Sequence, residues 1–153
     1  MTRRTIALVG SAALTLAGTM LCGAAPAHAQ GSTVTAIVQG GHITDVQVDM
    51  PSVLQAAGFN VTQGFALKVG ERIALNDSTL EEGIGRGPFD QNNPIVHVQP
   101  LVQFGSVANG AVGKVDLRAV VAAADGSIDE ASYSATMNCQ LDASANGTCT
   151  SSS

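Results

Sequence analysis

The sequence predicts an all-β domain: an antiparallel two-sheet β-sandwich, immunoglobulin-like in outline, with about seven or eight short strands and one short helix near residues 51–58. Three observations carry this reading. Apolar and polar residues alternate over two long runs near the C-terminus, turn-forming dipeptides separate shorter alternating runs, and helical periodicity is confined to one brief stretch. A small closed β-barrel uses the same alternation and stands as the alternative architecture. The Cys…Trp…Cys spacing of true immunoglobulin domains is missing, since the chain has no Trp.

The clearest alternation lies at 114–141. Val115, Leu117, Ala119 and Val121 fall on one side of the first run, against Lys114, Asp116 and Arg118. In the second run Ala131, Tyr133, Ala135, Met137, Cys139 and Leu141 share a face, against Ser132, Ser134, Thr136, Asn138 and Gln140. This is the pattern of a strand with one buried and one solvated face. Asp125-Gly126 supplies the turn, because glycine takes positive φ without strain. Both apolar sets carry odd numbers, so a shared buried face requires an odd loop. A three-residue loop at 125–127 places Ala119 opposite Tyr133 and Leu117 opposite Ala135.

The first 29 residues have the layout of a secretory signal peptide. Arg3-Arg4 form a basic start, 6–21 is mostly apolar, and Ala27-His28-Ala29 is a small-x-small cleavage motif that makes Gln30 the mature N-terminus. Thr2-Arg3-Arg4-Thr5-Ile6 is also a partial twin-arginine signal. No later run of about 18 apolar residues follows, so no membrane-spanning helix is expected after signal removal. Localisation is therefore read as secreted, either extracellular or in the cell envelope. Two of the seven basic residues leave with this segment and none of the 12 acidic ones does, which takes the net charge to −7. So acidic a chain, with five basic residues, no Trp and one Tyr, is poorly equipped to neutralise phosphates or stack bases. Nucleic acid is excluded as a partner on that ground. The Ala- and Gly-rich composition suits a bacterial source, which leaves the Asn-x-Ser/Thr sequons at Asn60, Asn76 and Asn146 unused.

In order, the mature domain (30–150) opens with a hairpin of 33–39 and 43–50 about Gly40-Gly41, with His42 in the turn to keep Val34, Ala36 and Val38 on the face of Val46 and Val48. Pro51 then opens a helix of a turn or two that Gly58 stops. Residues 61–69 read as a strand, Gly70-Glu71 as a turn and 72–75 as a short return strand. Residues 76–94 show little periodicity. Alternation resumes over 95–104 with Val96, Val98, Val102 and Phe104 on one face, and Pro100 marks an edge or a bulge. Beyond Asn146-Gly147 no strand pattern resumes, and 151–153 reads as a frayed tail.

Cys139 and Cys149 form an even pair in a chain bound for an oxidising compartment, so a disulfide is expected. The short loop that it closes stabilises the fold by roughly 2–3 kcal/mol. No motif for a metal or cofactor emerges. Residues 125–129 resemble the middle of a calcium loop, but Val121 and Ala123 stand where its first ligands belong. The glycines of 83–87 lack the Lys-Ser or Lys-Thr of a phosphate loop. Asp45 and Asp49 flank Gln47 on one strand face and read as solvated charges. The chain has no Gly-x-Ser-x-Gly elbow and no His-Glu-x-x-His.

The functional expectation is a non-catalytic β-domain that binds a protein partner or packs into an extracellular assembly, with self-association included. A small hydrolase or ligand carrier using His42 or His97 is the alternative. Because 76–94 is long for a connection, where the median is about 4–6 residues, it is assigned as a partner-binding loop carrying Glu81, Glu82, Arg86 and Phe89. Export with cleavage after Ala29 has a direct check. Intact-mass measurement of the exported protein should give a chain beginning at Gln30, and retention of residues 1–29 would refute the signal reading.

Overall fold

A computed structural model describes residues 32–76 and 78–152. The expected signal peptide lies outside the described residues. Eight antiparallel strands close into a barrel in the order β1-β2-β5-β4-β3-β6-β7-β8, with β8 returning to β1. The strands are β1 (Val34–Gln39), β2 (His42–Asp49), β3 (Gly64–Leu75), β4 (Thr79–Phe89), β5 (Ile95–Phe104), β6 (Val112–Ala123), β7 (Ile128–Leu141) and β8 (Gly147–Ser152), with one helix, α1 (Met50–Ala56), between β2 and β3. The all-β class and the short helix hold, and the architecture is the barrel alternative rather than the sandwich. Among the described residues no helix is long and apolar enough to cross a membrane.

The strand that decides between the two architectures is β8. It pairs with β7 on one side and with β1 on the other, leaving no open edge. The tail expected at 151–153 is thus a paired strand as far as Ser152. Its sequence, Gly-Thr-Cys-Thr-Ser-Ser, carries no apolar alternation. The inward positions are Cys149 and Ser151, both buried. Ser151 is satisfied inside: its Oγ accepts from Val34 N–H (3.0 Å) and lies 3.4 Å from the Tyr133 hydroxyl.

Hairpin parity is kept, but by other means than expected. The β6–β7 register pairs Leu117 with Tyr133, Ala119 with Ala131 and Val115 with Ala135. The odd loop is therefore 124–126, one residue earlier than anticipated, with Ala123 N–H bonded to Ser127 O at 2.8 Å. Asp125 Oδ1 accepts from both Ser127 N–H (2.9 Å) and Ser127 Oγ–H (2.7 Å), and so ties the turn to the next strand. In the first hairpin His42 pairs with Gln39 instead of joining the turn, which is the two residues Gly40-Gly41 at φ 60° and 81°. A register shift between Ile37 and Val38 restores the parity. A bulge does what a third loop residue was expected to do.

Two crossover connections plug the barrel. At one end α1 buries Met50, Val53 and Leu54. Its start is fixed by Asp49, whose Oδ1 accepts from Ser52 N–H at 3.1 Å, and by Pro51 in the first turn. At the other end the β5–β6 connection buries Val107 and Ala111. Inside, Val46, Val48, Val69, Ile73, Leu75, Val115 and Met137 are all fully buried.

Two stretches differ from the sequence reading. Gly70-Glu71 is not a turn, since β3 runs unbroken over Gly64–Leu75 with a register shift near Lys68. Residues 79–89, expected within a loop, form β4, which pairs with β3 along its length and with β5 over Leu80–Gly85. On β5, Val96 and Val98 are buried, while Val102 and Phe104 are 45% and 63% exposed. A register shift between Glu82 and Gly83, opposite Pro100 and Val102, reverses the face. Gln103 points inward instead: its Nε2–H donates to Ile43 O (2.7 Å) and its Oε1 accepts from Ile43 N–H (2.9 Å). That side chain serves as a rung where the β2–β5 ladder has ended at Val46–Val98.

The barrel gives two neighbouring residues opposite fates. Leu117→Asp puts an unpaired charge at a 2% exposed site and should cost more than about 3 kcal/mol. Arg118→Asp, on the outer face, should change stability by under about 0.5 kcal/mol. Chemical denaturation of the two variants provides the check, and similar midpoints would refute the assigned faces.

Candidate functional site

The expected loop residues divide across the barrel wall. Glu81 and Phe89 point inward and are 0% and 3% exposed. Glu82 and Arg86 point outward. Glu82 Oε2 meets Arg72 Nε at 3.5 Å, an exposed ion pair of little energetic weight. Arg86 lies over the Phe65 ring, 5.8 Å from its centroid. The four residues are therefore not displayed together on one loop. Cys139 and Cys149 face each other across β7 and β8 and are joined in a disulfide.

Inside the wall, Glu71 on β3 lies close to Glu81 on β4. Glu71 is 4% exposed, and none of the four carboxyl oxygens makes a well-formed hydrogen bond among the described residues. Gly83, opposite Glu71 in the β3–β4 register, makes the space. A Cβ there would come within 3.0 Å of Glu71 Oε1 and 2.5 Å of Gln99 O on β5. Burial, then the neighbouring Glu81 carboxyl, pushes the Glu71 pKa up to about 10. Burial also raises Glu81. Glu71 therefore keeps its proton at neutral pH, which spares the core two adjacent charges.

The outer face of the same strands holds two grooves. One groove of ≈ 640 Å³ is lined by Arg72, Glu82, Ile84, Leu101, Val102 and Arg118, among others. A second, of ≈ 530 Å³, lies between Leu67, Lys68, Ile84, Arg86, His97 and Gln99. Lys68 and Ile84 line both, so the two adjoin. Exposed Leu67, Ile84, Leu101, Val102 and Phe104 give this side an apolar character. All five Lys and Arg of 30–153 (Lys68, Arg72, Arg86, Lys114 and Arg118) are exposed and lie on the adjacent strands β4, β3 and β6. An acidic chain thus gathers its cations on one side of the barrel.

His97 stands at the groove's edge. Its Nδ1 is 2.9 Å from Asp45 Oδ2, a contact in which the ring N–H donates to the carboxylate. Among the described residues it bonds to no serine, threonine or cysteine side chain, and His42 is exposed beside the first turn. Asp49 is occupied with the helix start, so Asp45 and Asp49 do not converge. Among the described residues no three His, Cys, Asp or Glu side chains gather as a metal site.

No family model, curated protein or solved structure matches this chain.

The sequence reading missed Glu71, Lys68 and the outward turn of Val102 and Phe104. A signal for β4 was present: Thr79, Glu81, Gly83, Gly85, Gly87 and Phe89 alternate with bulkier residues. It is a period of two written in glycine and acid rather than in aliphatics.

The acid pair makes stability depend on pH. Glu71 has an ordinary pKa of 4.5 and about 10 in the fold. Between these values the native state holds a proton that the unfolded chain has lost, so stability falls as pH rises, by up to about 1.4 kcal/mol per pH unit. The contribution is complete below pH 4.5 and disappears as pH climbs toward 10. The melting temperature should be higher at pH 5 than at pH 9, and Glu71→Gln/Glu81→Gln should flatten the difference. An unchanged slope in that variant would show that the pair is not its source.

Proposed function

We propose that this chain is a secreted, non-catalytic β-barrel domain that binds a protein partner, in the extracellular space or the cell envelope. The observation that carries the reading is the outer face of β3, β4 and β5. There Leu67, Ile84, Leu101, Val102 and Phe104 are exposed together, ringed by most of the chain's cations. Water-exposed aliphatic and aromatic side chains grouped on one side of a barrel, where the outer face of β7 carries Ser132, Ser134, Thr136, Asn138 and Gln140 instead, are the mark of an interaction surface. Arginine beside apolar anchors is the composition of an interface centre. Of the four residues first assigned to a partner-binding loop, Arg86 and Glu82 belong to this face, while Glu81 and Phe89 support it from inside.

The alternative, a small hydrolase or ligand carrier using His97, has the His97–Asp45 contact beside the groove in its favour. Among the described residues no Ser, Thr or Cys side chain is hydrogen-bonded to the ring, and a general base with nothing to activate accomplishes no covalent catalysis.

Affinity capture from culture medium and envelope, with the tagged exported protein as bait, tests the reading. Ile84→Asp/Leu101→Asp should abolish recovery of the partner, whereas Thr136→Asp on the outer face of β7 should leave it intact. Equal recovery by both baits would move the binding surface elsewhere.

A further inference from the structure

We propose that the groove between Lys68 and Arg86 receives the β6–β7 hairpin tip of a second copy of this chain, so that two barrels exchange tips in a reciprocal dimer. This inference rests on the protein-binding reading of the β3–β4–β5 face and names one occupant for it.

The tip has the complementary chemistry. It runs Ala124-Asp125-Gly126-Ser127-Ile128-Asp129, with two acids and no cation. Ile128 is 58% exposed at its centre, an unsupported branched aliphatic between Asp125 and Asp129. Asp125 Oδ1 accepts from both the backbone N–H and the hydroxyl of Ser127, which holds the loop in one shape, so little ordering remains to be done on docking. The groove presents the inverse: an apolar floor of Leu67 and Ile84, with Lys68, Arg86 and His97 around it. Lys68 and Arg86 make no ion pair among the described residues. Arg86 is steadied over Phe65, which leaves its guanidinium edge available to a carboxylate.

The position of the two features favours exchange between two copies over an open chain. Gly64 pairs with Ala123 at the base of the tip, and Phe65 pairs with Pro88 beside Arg86. Groove and tip thus lie at the same end of the barrel, the end that α1 covers. A two-fold axis near that end lets each tip enter the other's groove, which closes the assembly at two. Within one molecule the hairpin is committed to the β3–β6–β7 ladder over its whole length and cannot fold back into its own groove.

Charge reversal separates this proposal from its rivals. Sedimentation velocity of the purified protein at micromolar to submillimolar concentration should show a dimer. Lys68→Glu/Arg86→Glu should be monomeric, as should Asp125→Lys/Asp129→Lys, with both variants confirmed as folded by circular dichroism. Where loss of Asp125 loosens the turn, Asp129→Lys alone serves. Mixed together, the groove-reversed and tip-reversed chains should regain the dimer, because each groove then meets a tip of opposite sign. Ile128→Ser should raise the dissociation constant about tenfold or more. A wild-type protein that stays monomeric throughout, or a mixture that does not reassociate, overturns the proposal. If such a monomer still recovers a partner that Ile84→Asp/Leu101→Asp loses, self-association falls while the protein-binding reading stands. If the bait variants recover the same partners, that reading falls by itself.

Discussion

The structure depends on the pairing of β8 between β7 and β1. Six residues convert a curled seven-stranded sheet with two edges into a barrel with none. Without them β1 would present one row of backbone donors and acceptors and β7 another, each open to pairing with another chain. The closing strand buries little apolar surface of its own, since its inward side chains are Cys149 and Ser151. What holds it is a ladder to β7 along its whole length, a shorter one to β1 over Gly147–Thr150, and the Cys139–Cys149 bond, which joins directly opposed residues of β7 and β8. A polar strand has weak register preference, because sliding it exposes no hydrophobic residue. The disulfide supplies the register that the side chains do not.

How much of this was legible in the sequence follows from where hydrophobic alternation is the dominant force. β6 and β7 are read correctly because each buries aliphatic residues at every second position, and the parity argument for their loop survives even though the loop lies one residue earlier. β8 is invisible for the opposite reason: hydrogen bonding and a covalent bond hold it, and neither leaves a hydropathy period. β4 fails similarly, since its inward positions are threonine, glutamate, three glycines and phenylalanine. An inward glutamate looks like a solvated residue until the barrel shows a second one beside it. The candidate site is less legible still. Arg86 and Glu82 were singled out, but as loop residues. Their strand placement depends on β3 and β5 lying on either side, a long-range fact that local pattern does not encode.

The glycines and the acid pair are two parts of one accommodation. β4 runs so close to β5 that side chains at Gly83 and Gly85 would strike the carbonyls of Gln99 and His97. Glycine removes the obstacle but leaves the interior underfilled at that point. The Glu71 and Glu81 side chains occupy the space. The proton held by Glu71 is what makes the filling tolerable, because a shared low-dielectric site cannot hold two carboxylate charges. An aliphatic pair would fill the same volume with no pH penalty. The presence of acids thus marks a region of the core that apolar packing does not explain, directly behind the outer groove.

The groove itself arises from a single extra residue. Had β5 continued its alternation from Val96 and Val98, Val102 and Phe104 would point into the barrel and Leu101 and Gln103 would face water. The register shift near Leu101 inverts the order, sending Val102 and Phe104 outward and Gln103 in. Pro100 suits that place because it donates no ladder hydrogen bond, so the shift costs little there. The inverted strand would then leave its ladder to β2 open, and the Gln103 amide closes the gap by bonding to both polar groups of the Ile43 backbone. An inward glutamine is thus the counterpart of an outward phenylalanine. If the bulge served only to bend the barrel, polar residues at 102 and 104 would serve as well as the present ones. Apolar residues at both positions instead leave two large hydrophobic side chains in water, on the outer face that also exposes Ile84 and Leu67, and solvation alone does not favour that.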